Sequence, residues 1–285
     1  MDRFLALRTR PDDPGKVRVP RPVTRRRRPP VLALAVGALT AAFFLLPLAG
    51  LAWRANWANL WSELTSNEAR TAFRLSLVCS IWATALSVVF GLPLAWVLAR
   101  VPFPGRRVVR ALALVPLVLP PVVGGVALLL AFGRRGLIGR SLDDWFGVTL
   151  PFTTAGAVIA ETFVAMPFLV ITAEAAFRGG DRRYENAART LGASRWTVFR
   201  RVTLPLTWPA LAAGAVLAWA RALGEFGATI TFAGNTPERT TTIPLQVYLL
   251  LESGNLEGAI ALSLVLLGVC VVVLAVLRER WVGAL

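Results

Sequence analysis

Arg221 and Glu225 stand four positions apart inside an apolar stretch, so on a helix an acid and a base would share one face. Pairing there softens a burial cost of about 2.5–3.5 kcal/mol for a lone charge at a bilayer centre. Two readings stay open: a self-satisfied pair that fixes helix rotation, or a cation that attracts an anion while the carboxylate keeps the attraction weak. Thr229, Thr231 and Asn235 follow with neutral donors, although a helical threonine hydroxyl commonly bonds its own backbone. Machinery for covalent chemistry is missing. The 285 residues contain no histidine, which removes the commonest general base and metal ligand. Cys79 and Cys270 occupy separate apolar stretches without metal-ligand spacing and read as small buried residues. A phosphate loop around the sole lysine, Lys16, would need glycine at Arg10 and Ser or Thr at Val17. The chain is expected to hold no catalytic residue, no metal and no cofactor of its own.

Elements of an unusual kind must carry these groups. A hydrophobic content of 56% and a mean hydropathy of +0.62 are too high for an ordinary soluble domain of this length. Six stretches of about 20 or more mainly apolar residues predict an all-α polytopic membrane protein, with spans near 31–53, 72–99, 108–132, 153–176, 209–233 and 259–277. The first is too long for a secretory signal and reads as a retained anchor, despite Gly50-Leu51-Ala52 near its end. Residues 1–30 carry ten basic residues and six prolines and are expected to form a disordered tail near lipid. With the N-terminus inside, 23 basic residues fall on the cytoplasmic side and seven outside, so both termini are expected in the cytoplasm. Topology and attraction to anionic lipid account for the net charge of +15. Nucleic-acid binding is excluded, because no basic face is interleaved with aromatics.

Two segments break the apolar pattern. The third stretch holds Pro116, Pro120, Pro121, Gly124 and Gly125, which an unbroken helix cannot accommodate without freeing carbonyls. In lipid such groups must face protein or a wet cavity, so either a translocation path or a kink absorbed by neighbours is expected. Glu161 and Glu174 lie in the fourth stretch; Glu174 reads as solvated at its inner end, and Glu161 has no evident role. The second segment, Tyr184 to Leu211, reads as a helical hairpin. Ala187, Ala188 and Leu191 share a face of its first helix, Gly192 suits a left-handed C-terminal position, and Ser194 suits an N-cap. Trp196, Phe199 and Val202 then form an apolar ridge. Pro205 is expected to stop the second helix, with Thr207 capping the next span and Pro209 in its first turn. An exposed ridge wants either a partner or the membrane surface.

Spacing decides between these through a resemblance. "ENAARTLGASRWTVFRRVTLP", Glu185 to Pro205, resembles the cytoplasmic loop of ABC importer permeases: E-A-A, three residues, glycine, nine residues, Ile-x-Leu-Pro. Val202 replaces the isoleucine, and Asn186 stands at the glutamate position with Glu185 beside it. "RALGEFGATITFAGN" from Arg221 and "PLVLPPVVGGVALLLAFG" from Pro116 are similar to the molybdate and sulfate subgroup, with Phe226, Ala228 and Thr229 on the molybdate side. The resemblance implies a type I importer permease fold, with a transmembrane domain over 70–280 and a coupling loop over 178–208. It implies that Glu185, Asn186, Ala187, Ala188, Gly192, Trp196, Phe199, Leu204 and Pro205 meet a separate ATPase subunit that binds ATP and Mg. It further implies a second permease chain, a soluble oxyanion-binding protein, and a path by Pro120, Pro121, Gly124, Arg221, Glu225, Thr229, Thr231 and Asn235. Molybdate is the expected cargo, with tungstate or sulfate as alternatives. An intramembrane enzyme lacks its constellation here. A proton-coupled carrier using Glu161, Glu225 and Arg221 would leave the hairpin without a task.

Overall fold

The computed structural model describes the backbone of residues 31–282 and the side chains of residues 31–277. The tail over 1–30 and the side chains of Arg278 and Arg280 lie outside the described residues. Two compact units are present, one ending at Ala49 and the other beginning at Gly50. Helix α1, Val31–Arg54, crosses that boundary, is apolar almost throughout, and has no buried residue.

The second unit is built from short and long helices: α2 (Leu60–Leu64), α3 (Asn67–Arg100), α4 (Arg106–Val118), α5 (Pro121–Phe132), α6 (Gly139–Phe146), α7 (Thr154–Gly179), α8 (Arg182–Thr190), α9 (Arg195–Leu223), α10 (Gly227–Phe232), α11 (Ile243–Glu252) and α12 (Leu256–Val282). Among the described residues, α1, α3, α7, α9 and α12 are long and apolar enough to cross a membrane. Helix α7 is the hub, packing against α3, α9, α4, α5 and α10. Ala157, Ala160, Ala165 and Ala173 on it are fully buried. Small side chains let neighbouring backbones approach closely, which is how helices gain contact in lipid.

The elements depart from the six expected spans in the third and the fifth. The third span is two helices, since Leu119 and Pro120 adopt extended angles between α4 and α5. The fifth starts earlier than expected and ends at Leu223, with α10 following as a separate helix after Gly224. Pro205 does not stop the chain, because Leu204 keeps helical angles of φ −62° and ψ −48°. A π turn at Phe199–Thr203 precedes it. A second π turn, Ser87–Gly91, precedes Pro93 in α3. One wide turn moves the carbonyl that the proline ring would strike, and the helix continues. Thr207 and Pro209 are therefore interior to α9; the Thr207 hydroxyl donates to the Thr203 carbonyl at 2.8 Å rather than capping a span.

Candidate functional site

The turn between α8 and α9 forms as its spacing predicts. Asp181 caps α8 by accepting from the Arg183 amide. At the far end Gly192 has φ +83°, the Gly192 amide donates to Arg189 O and the Ala193 amide to Ala188 O. This double closure of a helix C-terminus needs a left-handed residue. Ser194 Oγ then accepts from the Thr197 amide at 3.2 Å and opens α9.

The ridge is less exposed than the sequence suggests. Phe199 is half-buried, stacked on Trp196 at 5.8 Å and edge-on to Trp96 of α3 at 6.2 Å. Leu204 packs against the core formed by Ala95, Leu98, Phe177 and Leu211. Val198, absent from the expected ridge, is the buried anchor. The outward set is Asn186, Ala187, Gly192, Trp196 and Pro205, with Ala188 half-buried. Glu185 turns inward, where Oε1 takes Arg100 Nη2 at 2.8 Å and the Thr203 hydroxyl at 2.9 Å. It braces α8 against the ends of α3 and the π turn of α9.

A second polar cluster sits where α9 gives way to α10. Arg221 Nη2 meets Glu225 Oε2 at 2.6 Å, but across a helix break rather than on one helical face. Glu225 Oε1 accepts the Ala228 amide at 2.9 Å, so this carboxylate also caps α10. The Glu225 side chain is 1% exposed and that of Arg221 28%. The anion is anchored twice and the cation only once, which leaves the guanidinium able to take another acceptor without stranding Glu225. Helix α5 approaches α10 closely: a Cβ on Gly125 would lie 2.5 Å from Thr231 Cβ, and one on Gly227 2.8 Å from Pro121 Cβ. Pro121 thus lies against α10, which carries Thr229 and Thr231, while Gly124 faces Phe163 of α7 and Pro120 is exposed at the break. Thr231 donates to Gly227 O at 2.8 Å, the ordinary backbone bond. Thr229 does not; its buried Oγ1 has no partner among the described residues. Asn235 stands apart, its Oδ1 accepting from the Thr241 hydroxyl at 2.8 Å.

Glu174 overturns the expectation of a solvated carboxylate. It is 6% exposed and is held by Arg110 of α4 at 2.6 Å and by Arg178 at 2.7 Å. The i,i+4 spacing to Arg178 was visible in the sequence; Arg110, 64 positions away, was not. Glu161 on α7 is 1% exposed, and its Oε2 has no partner among the described residues.

Residues 87–284 match the family described as "Binding-protein-dependent transport system inner membrane component". The molybdenum transport system permease protein ModB of Mycobacterium tuberculosis is 48% identical over 242 residues, covering 85% of this chain and 89% of that protein. The sulfate transport system permease protein CysT of Escherichia coli is 35% identical over 258 residues, covering 88% and 93%. Among solved structures, a bacterial ABC transporter involved in import of the acidic polysaccharide alginate superposes with a TM-score of 0.67 at 21% identity, covering 88% of this chain and 94% of that one. The chain is an all-α, multi-pass membrane protein that belongs to the binding-protein-dependent transport system inner membrane component family.

Proposed function

We propose that this chain is the permease subunit of an ABC importer that carries molybdate inward, working with a separate ATPase subunit, a soluble oxyanion-binding protein and a second copy of itself. Both termini and the α8–α9 hairpin face the cytoplasm. The observation that carries the cargo assignment is the higher identity to the molybdenum permease, 48% against 35% for the sulfate permease, over similar shares of the chain.

The mechanism is alternating access. The ATPase pair closes on ATP and pushes the outward residues Asn186, Ala187, Gly192 and Trp196. Because Glu185 ties α8 to Arg100 and Thr203, the push reaches α3 and α9 together rather than bending the hairpin alone. At the other end of α9, Arg221 offers its free donors to the passing dianion while Glu225 limits the grip. Release needs a weak site. Reconstitution with the ATPase and binding protein tests this: molybdate should stimulate ATP hydrolysis and accumulate inside vesicles. Stimulation by sulfate with molybdate inert would transfer the assignment to sulfate, and uptake without the ATPase would end the ABC reading.

A further inference from the structure

We propose that α3, α8 and α9 form a site for one anionic phospholipid, its phosphate in a basic cleft and an acyl chain in the apolar groove beside it. The cleft, about 430 Å³, is lined by Arg100, Arg182, Arg189, Arg195 and Glu185 among others. Glu185 is already used by Arg100. Arg182, Arg189 and Arg195 are exposed and make no ion pair among the described residues. Three uncompensated guanidinium groups around one cleft call for an anion with several acceptor oxygens.

The groove adjoining it is of the opposite character. It measures about 610 Å³, and Leu92, Val97, Phe177, Leu204 and Leu211 line it. A volume in that range is typical of ligand sites, roughly 300–1,000 Å³. Trp96, Arg195 and Phe199 line both spaces, so they form a common wall. Free phosphate would satisfy the cleft and leave the groove bare. A neutral lipid would fill the groove and leave the arginines unpaired. An anionic phospholipid uses both, and the groove lies on α3 and α9, helices long and apolar enough to border hydrocarbon. Trp96 stands at the junction, where indole rings favour the level of lipid headgroups.

The site goes beyond the transport reading and rests on it only for placing the hairpin at the inner leaflet. Its test needs neither ATPase nor cargo, so the two can fail separately. The purified full chain in detergent is exposed to equal amounts of phosphatidylglycerol and phosphatidylcholine, and retained lipid is read by native mass spectrometry. A phosphatidylglycerol carrying a photoactivatable acyl chain maps the contact. One phosphatidylglycerol should be retained over phosphatidylcholine, with label on residues 92–97 or 204–211. Arg182→Gln, Arg189→Gln and Arg195→Gln together should cut the preference about tenfold or more while the thermal midpoint holds. Val97→Trp, which narrows the groove, should reduce the label and leave the headgroup preference. Equal retention of both lipids, displacement by inorganic phosphate, or label outside the groove would overturn the proposal.

Discussion

Arg100 reaches Glu185 across 85 positions of sequence, and the 2.8 Å contact joins the end of a membrane-crossing helix to the first turn of the hairpin. Both side chains are nearly enclosed, 10% and 13% exposed, so neither has water as an easy substitute. Glu185→Ala should leave Arg100 and the Thr203 hydroxyl without their shared acceptor. An unmet buried partner costs about 1–3 kcal/mol. Hydrogen exchange over 182–190 should quicken, while Glu185→Gln, which keeps an acceptor for Thr203, should fall between. Unchanged exchange in Glu185→Ala would show that the brace carries no strength.

Gly192 should tolerate asparagine but not alanine. Its φ of +83° costs an ordinary residue about 1–2 kcal/mol, and asparagine bears the left-handed conformation more easily. Nothing lies within 4 Å of a Cβ there, so the penalty is conformational rather than steric. Gly192→Ala should weaken co-purification of the ATPase subunit, and Gly192→Asn should retain it.

Glu225 separates charge from capping. Glu225→Gln keeps an oxygen for the Ala228 amide and loses the ion pair with Arg221. Glu225→Ala loses both. The cap alone is worth about 0.5–2 kcal/mol, so the alanine variant should melt lower in detergent than the glutamine variant. Equal midpoints would mean that α10 is held without its cap. In the transport assay, Glu225→Gln should bind oxyanion more tightly and release it more slowly, since nothing then competes for Arg221.

Gly125 tests the close approach of α5 and α10. A methyl group there would sit 2.5 Å from Thr231 Cβ and 3.0 Å from Ala228 O, so the helices must separate. Overpacking of this kind costs about 1–3 kcal/mol. Gly268→Ala, with nothing within 4 Å, is the control and should not lower the midpoint. A Gly125→Ala variant as stable as the control would mean that the contact is loose.

Local signals served well wherever the physics is local. Gly192 and Ser194 mark the hairpin because a positive φ and an N-cap are demands of one or two residues. The prolines from Pro116 to Pro121 announce a break in the third span, and the break is there. Pro205 misled for the same reason that it looked decisive. A proline ends a helix because its ring strikes a carbonyl one turn back, and the π turn relieves that clash while Phe199 and Leu204 pack against α3 and α7.

Composition and periodicity by themselves determined that this is an all-α chain for lipid with a basic hairpin, because hydropathy and backbone limits act within a helical turn or two. Only the tertiary structure decided that Arg100 meets Glu185, that Glu174 is locked by Arg110 rather than wet, and that the Arg221–Glu225 pair spans a break between two helices. Those outcomes depend on which helices α7 draws together, and packing between segments tens of residues apart leaves no mark in the spacing of either one.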